Sequence, residues 1–418
     1  MDLNQFSDKQ RAVLKQFREE LKDCQLPDSE DAYLIRWLIA RDFDLARAGK
    51  MLRNSLDWRR KYKIDTLLDD FKPPEVLAKY FPAGFVGRDK FLNPLWVVRY
   101  GRTDMKGILR STKKRDYVMK VIHLVESSIW LVKSNPEKYK RSSDAIVQST
   151  IIFDMEGFSM QHITNKQAME SAVKLVQIYE ANYPEYLHRV FVINAPTIFS
   201  IGFSMIKPFL NERTRNKIQI HGHDAQQWKA AILAEVNAEE LPVAYGGTLI
   251  DSDGNPNCAT MVNMGGEVPK SYYFAGKPDS TNKKSLTVSS GSKEQLAGKP
   301  DSTNKKSLTV SSGSKEQLEF PVTQVGSVLK WDFHSEEGDI TFAIYRKKEG
   351  EMIPVIFYDR VDCDMSTEEG EIRCDENGVY VVEFDNNFSY LRSKKIWYSV
   401  KVELASPMKN GTDLDNLY

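Results

Sequence analysis

Along residues 31–62, DAYLIRWLIARDFDLARAGKMLRNSLDWRRKY, apolar positions recur at helical spacing. Leu34, Trp37 and Leu38 form one stripe, and Leu45, Ala48, Leu52 and Leu56 a second. RDFD breaks the first stripe and offers Asp44 as an N-cap. From about residue 76 to 250 the texture changes. Short β-rich runs at 95–100, 149–154, 189–194 and 217–222 alternate with amphipathic helices. Val118, Val121, Ile122, Val125, Ile129 and Val132 make one helical face; Met169, Ala172, Val173, Val176 and Tyr179 make the next. Strands separated by helices of this length predict a parallel sheet with right-handed crossovers. After about residue 320 the period becomes two: Leu329, Trp331 and Phe333 alternate with Lys330, Asp332 and His334, and Ile340, Phe342 and Ile344 follow the SEEGD turn. This predicts an antiparallel β-domain, a small sandwich.

The expected fold class is therefore multidomain. A helical module occupies 1–75, an α/β domain 76–250, a linker 251–296, an all-β sandwich 297–405 and a tail 406–418. A length of 418 residues fits two or three domains. Lys plus Arg and Asp plus Glu both number 58, so bulk charge favours neither nucleic acid nor an anionic surface. The N-terminus carries charge every few residues and has no apolar signal core. No stretch approaches the ~18 apolar residues of a membrane span. Cys24, Cys258, Cys363 and Cys374 are too scattered for a disulfide scaffold; free thiols are favoured over a Cys363–Cys374 pair. Together these predict a cytoplasmic chain.

Motifs for chemistry are sparse. The chain contains no phosphate loop, no G-x-G-x-x-G after a strand and no H-E-x-x-H. GFSMQ at 157–161 and GFSMI at 202–206 begin like a nucleophile elbow but lack its closing glycine. DSDGNPNC at 251–258 departs from a calcium loop, with glycine at the wrong position and Val262 where the final glutamate belongs. His221 and His223, two apart beside Asp224, are weak as a metal pair. No enzyme, cofactor or metal is expected. The outstanding segment is 194–218, where Ile198, Phe199, Ile201, Phe203, Met205, Ile206, Phe209 and Leu210 leave little polar face. Such a helix is either a central core element or a lid over an apolar cavity. Pro196, Gly202 and Pro208 suit a segment that repositions.

These stretches carry a resemblance. YLIRWLIARDFDLARAGKMLRNSLDWRRKY, NYPEYLHRVFVINAPTIFSIGFSMIKPFLNERTRNKI and LPVAYGG resemble the CRAL-TRIO, or Sec-fourteen-like, lipid-transfer family. DGNPNCATMVNMGGEVPKSYY with GVYVVEFDNNFSYLRSKKIWYSVKV is similar to its animal branch with a C-terminal GOLD domain. The resemblance implies an α/β lipid bowl closed by a gate helix, a hydrophobic lipid ligand and reversible, peripheral membrane contact. It implies a protein partner through the GOLD-like domain and no nucleic acid. By the family pattern, Arg41, Glu185 and Lys217 stand where phosphoinositide-binding members place headgroup anchors. Asp42 replaces a lysine and puts phosphatidylinositol in doubt; surface ion pairing is the plainer reading of all three. Ser149 matches a polar wall residue of the phosphatidylcholine site, while Ile151 and Trp96 replace threonine and tyrosine. Those exchanges suit a neutral tocopherol- or squalene-like ligand at least as well. Asn93, before Pro94, stands where relatives have glycine and is expected to take the left-handed backbone there. RSKK at 392–395 reads as a solvated turn before it reads as a basic membrane spot.

One feature belongs to no family. AGKPDSTNKKSLTVSSGSKEQL fills 275–296 and recurs unchanged at 297–318. Two copies, each with few apolar residues, do not make a stacked repeat. SLTVSS and QLEFPV look like opening strands of the β-domain, and only the second copy runs into Glu319 and Phe320. The second copy is thus expected to pair and the first to act as linker. Limited proteolysis of the full chain should cut within 277–295; cleavage confined to 299–317 would reverse the assignment.

Overall fold

The structure, a computed structural model, describes residues 6–139, 146–274, 305–364 and 367–404. The first repeat copy and the start of the second lie outside the described residues. The chain divides into two compact units, Met1–Tyr273 and Phe274–Tyr418.

The first unit opens with α1 (Asp8–Glu20), α2 (Asp31–Ile39), α3 (Leu45–Tyr62), α4 (Leu67–Asp70) and α5 (Glu75–Tyr80). Asp44 caps α3 as its spacing predicts, accepting from the Arg47 backbone N–H at 2.9 Å. Then follow β1 (Ala83–Arg88), β2 (Pro94–Val98), α6 (Met105–Ser111), α7 (Lys114–Ser134), β3 (Ser149–Asp154), α8 (Met160–Thr164) and α9 (Lys166–Asn182). β4 (Leu187–Ile193), α10 (Phe199–Ile206), α11 (Glu212–Arg215), β5 (Ile218–Ile220) and α12 (Ala225–Glu235) complete the series. The sheet order is β1-β2-β3-β4-β5. β2 to β5 are parallel, and β1 joins antiparallel through a hairpin. The four β-rich runs are these four parallel strands, with α7 and α9 as crossovers.

The helical module is not separable from the sheet. Arg59 on α3 pairs with Glu126 on α7 at 2.8 Å, and the Tyr183 hydroxyl donates to the same carboxylate at 2.7 Å. Ile64 and Leu67 share a core with Leu77, Ile108, Ile122 and Val268.

Two details differ from expectation. The segment 251–273, assigned to a linker, packs against the first unit. Cys258, Val262 and Val268 are buried, and Val262 bridges to Gly84 on β1. Its apolar residues are isolated rather than periodic, so no pattern marks them. At the β1–β2 turn the left-handed residue is Leu92, not Asn93. Asn93 instead places its side-chain amide on Asp89 at 2.9 Å, and Asp89 also accepts from the Thr150 hydroxyl.

In the second unit, β6 (Lys306–Val310), β7 (Lys315–Val322), β8 (Val328–Ser335), β9 (Ile340–Lys348), β10 (Glu351–Val361), β11 (Glu368–Arg373), β12 (Gly378–Asp385) and β13 (Lys394–Glu403) form two antiparallel sheets. Their orders are β10-β9-β12-β7 and β11-β8-β13-β6. Phe333 of one sheet packs on Phe342 and Phe384 of the other, with centroids 4.7 and 4.9 Å apart. This is the predicted sandwich. The four cysteines are free, and burial pushes the Cys363 thiol up to about 12.

The strap over β1 yields a prediction. A Cβ on Gly84 would lie 2.1 Å from the Met261 carbonyl oxygen. Gly84→Ala should destabilise the first unit by about 1–3 kcal/mol in urea unfolding of the full chain. An unchanged midpoint would mean the strap does not hold the fold.

Candidate functional site

The two sides of the five-stranded sheet differ. On one, Leu95, Val97, Ile152 and Phe191 have no exposure, and Trp228, Ile232 and Val236 of α12 and the residue after it seal them. On the other, strand register aligns Phe85, Trp96, Ile151, Val190 and Ile218 in one row and Val98, Phe153, Val192 and Ile220 in the next. Trp96, Val98, Ile151 and Phe153 lie on interior strands, yet all four stay partly exposed. The alternation of buried and partly exposed positions runs the length of β3. The sequence-predicted wall residues Trp96 and Ile151 are thus register partners on the same face.

This open side is bordered by α7, α9 and α10. Tyr179 of α9 and Phe199 and Phe203 of α10 pack with Ile151, Phe153, Val190 and Val192. Ala172, Val173 and Val176 on α9, and Val121, Val125 and Ile129 on α7, are also only partly buried. A polar chain crosses the apolar surround. The Trp96 indole N–H donates to the Ser128 hydroxyl at 3.1 Å, which shares a 2.8 Å hydrogen bond with the Ser149 hydroxyl. Ser128 was not singled out in the sequence. Its one available signal is its place on the apolar stripe of α7, three residues beyond Val125 and four before Val132.

α10 is not a central core helix. Phe199, Gly202 and Phe203, spaced three and four apart, turn inward. Phe199 stacks on Phe203 at 5.8 Å and meets Phe158 edge-on at 5.7 Å. A Cβ on Gly202 would touch Ile163 and Phe158, so α10 lies close to α8. The opposite stripe faces solvent: Ile201 is 55%, Met205 46% and Phe209 41% exposed. Ile198, Ile206 and Leu210 are intermediate. The helix runs only to Ile206, where Lys207–Phe209 tightens into a 3₁₀ turn containing Pro208.

Of the residues expected as headgroup anchors, Glu185 and Lys217 form a second cluster. Glu185 holds a left-handed backbone at φ 58°, and its carbonyl accepts from Arg36 at 2.9 Å and Gln148 at 3.2 Å. Its carboxylate takes the Lys217 ammonium at 2.7 Å. Arg41 is partly exposed and donates to the Ala40 carbonyl at 2.8 Å. The neighbouring Asp42 pairs with Arg213 of α11 at 2.5 Å, so its charge is compensated within the fold. Glu185 and Lys217 are therefore in contact. Arg41 sits on the turn tied down on either side by Arg36 and Asp42, and Ser149 belongs to the other, indole-linked cluster.

Burial shapes the titratable groups nearby. It lowers the Lys120 ammonium and the His123 imidazole and raises the Asp116 carboxyl, all on α7. It pushes the Tyr100 hydroxyl up to about 12 and raises that of Tyr179. Ser159 caps α8 opposite His162, whose Nδ1 accepts the Ser159 backbone N–H at 3.1 Å, and the Ser204 hydroxyl is used by the Ile201 carbonyl at 2.7 Å. Among the described residues no cluster of three or more His, Cys, Asp or Glu side chains is placed to hold a metal ion. No described helix is long and apolar enough to cross a membrane.

Residues 78–247 match the family described as CRAL/TRIO domain. Protein real-time of Aedes aegypti is 31% identical over 360 residues, covering 82% of this chain and 50% of that one. CRAL-TRIO domain-containing protein T23G5.2 of Caenorhabditis elegans is 29% identical over 315 residues, covering 75% and 40%. The chain spans about half the length of these relatives or less. The crystal structure of Sfh5 superposes with a TM-score of 0.50 at 19% identity, over 60% of this chain and 90% of its own, and shares the fold. CRAL-TRIO domains bind hydrophobic lipids.

The Glu185–Lys217 contact yields a prediction. If it is a structural pair, a double-mutant cycle of Glu185→Gln and Lys217→Met should give a coupling of about 0.5–3 kcal/mol in urea unfolding. Additive single effects would leave Lys217 energetically free of Glu185.

Proposed function

We propose that the chain holds one hydrophobic lipid between the open side of the sheet and α7, α9 and α10, and carries or presents it at membranes. The carrying observation is the partial exposure of apolar side chains on interior strands that helices already border. A sheet face meant only as core would be sealed as completely as the α12 side. Each CH₂ withdrawn from water contributes about 0.8 kcal/mol, so a two-chain lipid with roughly 30 of them does not leave a bilayer unaided. An apolar chamber with a movable wall lowers that barrier without a nucleophile, a metal or a nucleotide.

α10 is the wall assigned to move. Its inward stripe completes the chamber, and its outward stripe offers Ile201, Met205 and Phe209 to a bilayer surface. It ends at a proline-containing turn rather than continuing into a longer helix. Contact with the membrane is peripheral and reversible in this reading, on the cytoplasmic side. The cargo is assigned as a neutral, isoprenoid-like molecule of the tocopherol or squalene type ahead of phosphatidylinositol. An inositol phosphate would have to take Lys217 from Glu185, whereas a neutral lipid with one hydroxyl, as in tocopherol, needs only the Trp96–Ser128–Ser149 chain, and a hydrocarbon such as squalene needs no polar partner. The second unit, GOLD-like by sequence, is assigned the contact with a protein partner. A chain that retains its lipid yet exchanges it slowly would be a sensor rather than a carrier.

Native mass spectrometry of the purified chain, followed by extraction and identification of its ligand, tests the cargo. A phosphatidylinositol adduct lost in Lys217→Ala would reverse the assignment. For the wall, Ile201→Asp and Phe209→Asp should slow lipid exchange between vesicles about tenfold or more. As surface substitutions they should move stability by no more than ~0.5 kcal/mol. Exchange unaffected by both would remove α10 from the mechanism.

A further inference from the structure

The most exposed large apolar side chains among the described residues are neighbours in the second unit. Tyr390 is 91% and Leu391 94% exposed, at the tip of the loop joining β12 to β13. The loop beneath them is fixed. Asn386, fully buried, donates its amide to the carbonyls of Val310, Ser311 and Arg392 at 3.3, 3.2 and 2.9 Å. The Ser389 hydroxyl donates to the Arg392 carbonyl at 3.0 Å. Phe388, the third large apolar residue of the loop, turns back to the sandwich. Arg360 stacks on its ring at 3.9 Å and Lys394 lies 4.5 Å from its centroid. The fold therefore uses Phe388 and leaves Tyr390 and Leu391 outside, on a base that holds them in place.

We propose that this tip inserts into the interfacial layer of a phospholipid bilayer. A protruding leucine supplies an apolar point with no opposing surface on the unit, and a tyrosine beside it suits the boundary, where its ring is dry and its hydroxyl wet. Arg392 follows immediately and is exposed. From that position its guanidinium reaches lipid phosphate while Leu391 enters the acyl region. The remaining charges at this end are largely matched. Lys395 pairs with Glu336 at 2.9 Å, and Lys394 with Asp339 at 3.0 Å. The contact is thus chiefly apolar and calls for no strongly anionic membrane. Two side chains make a weak anchor on their own. Joined in one chain to a first unit that also visits membranes, a weak anchor raises the effective concentration of both at the surface.

The test uses the full chain with a polarity-sensitive NBD label at Ser393→Cys in a Cys24→Ser background. Cys258, Cys363 and Cys374 are buried and stay unlabelled. With vesicles of zwitterionic phosphatidylcholine, NBD emission should shift to the blue and brighten, and the change should persist at high salt. Adding Tyr390→Ser and Leu391→Ser should weaken the partition at least about tenfold and leave the melting temperature unchanged. The proposal is overturned if the label keeps its aqueous emission while the chain sediments with vesicles, or if the double substitution leaves partition unchanged. It is equally overturned if binding needs anionic lipid and vanishes with salt. A label that answers an added protein and not the vesicles would give the tip to protein docking instead.

Discussion

On the side of the first sheet that meets α12, Leu95, Val97, Ile152 and Phe191 are removed entirely from water. Sliding β2 or β3 by one residue would exchange those side chains for Trp96, Val98, Ile151 and Phe153. The sealed side therefore fixes the register of the whole sheet, and parallel pairing with crossover helices leaves no cheap alternative. The open side inherits its order from this arrangement. Its residues stand in rows because their neighbours are packed, and they need not reach the same density themselves. In the proposed reading this side is a chamber wall, which has to be ordered without being filled, and a two-faced sheet suits that.

The helical module contributes in a similar way. Arg36, buried on α2, donates to the Glu185 carbonyl and lies 3.8 Å from the Tyr186 ring centroid. It thereby ties the turn that presents Glu185 to the N-terminal helices. Asp42 and Arg213 join the next turn to the segment that follows α10. Glu185 and Arg41, the residues expected as anchors on these turns, are thus held through the backbone, and side-chain charge alone gives a poor guide to their environment.

Legibility in the sequence followed periodicity. β2 to β5 announce themselves as β-branched runs, α7 and α9 as helical stripes, and the sandwich as strict alternation from Leu329 onward. β1 does not, because Gly84 and Gly87 interrupt its pattern and its partner is a neighbouring strand by hairpin. The 251–273 strap is invisible for a related reason: Cys258, Val262 and Val268 bury one at a time, with no spacing to read. α10 was ambiguous in sequence, since an apolar helix looks the same whether buried or half exposed. Only its neighbours resolve the choice, with Phe158 and Ile163 on one side and solvent on the other. Ser128 illustrates the limit for the site, because a serine on an apolar stripe acquires meaning only when Trp96 and Ser149 arrive from distant strands.

The duplicated stretch stands apart from all this. β6 lies wholly within the second copy and β7 begins in it, and each is an outer strand of a different sheet. One short run of chain thus borders both layers of the sandwich. Loss of either copy would leave the same letters in the same order, since the two are identical, and the surviving one would still lead into Phe320 and Val322. A chain with a single copy would be 22 residues shorter between the first unit and β6 and would keep every residue that β6 and β7 use. Copy number at this tract thus sets the length of the tether and leaves the sandwich it leads into unaltered.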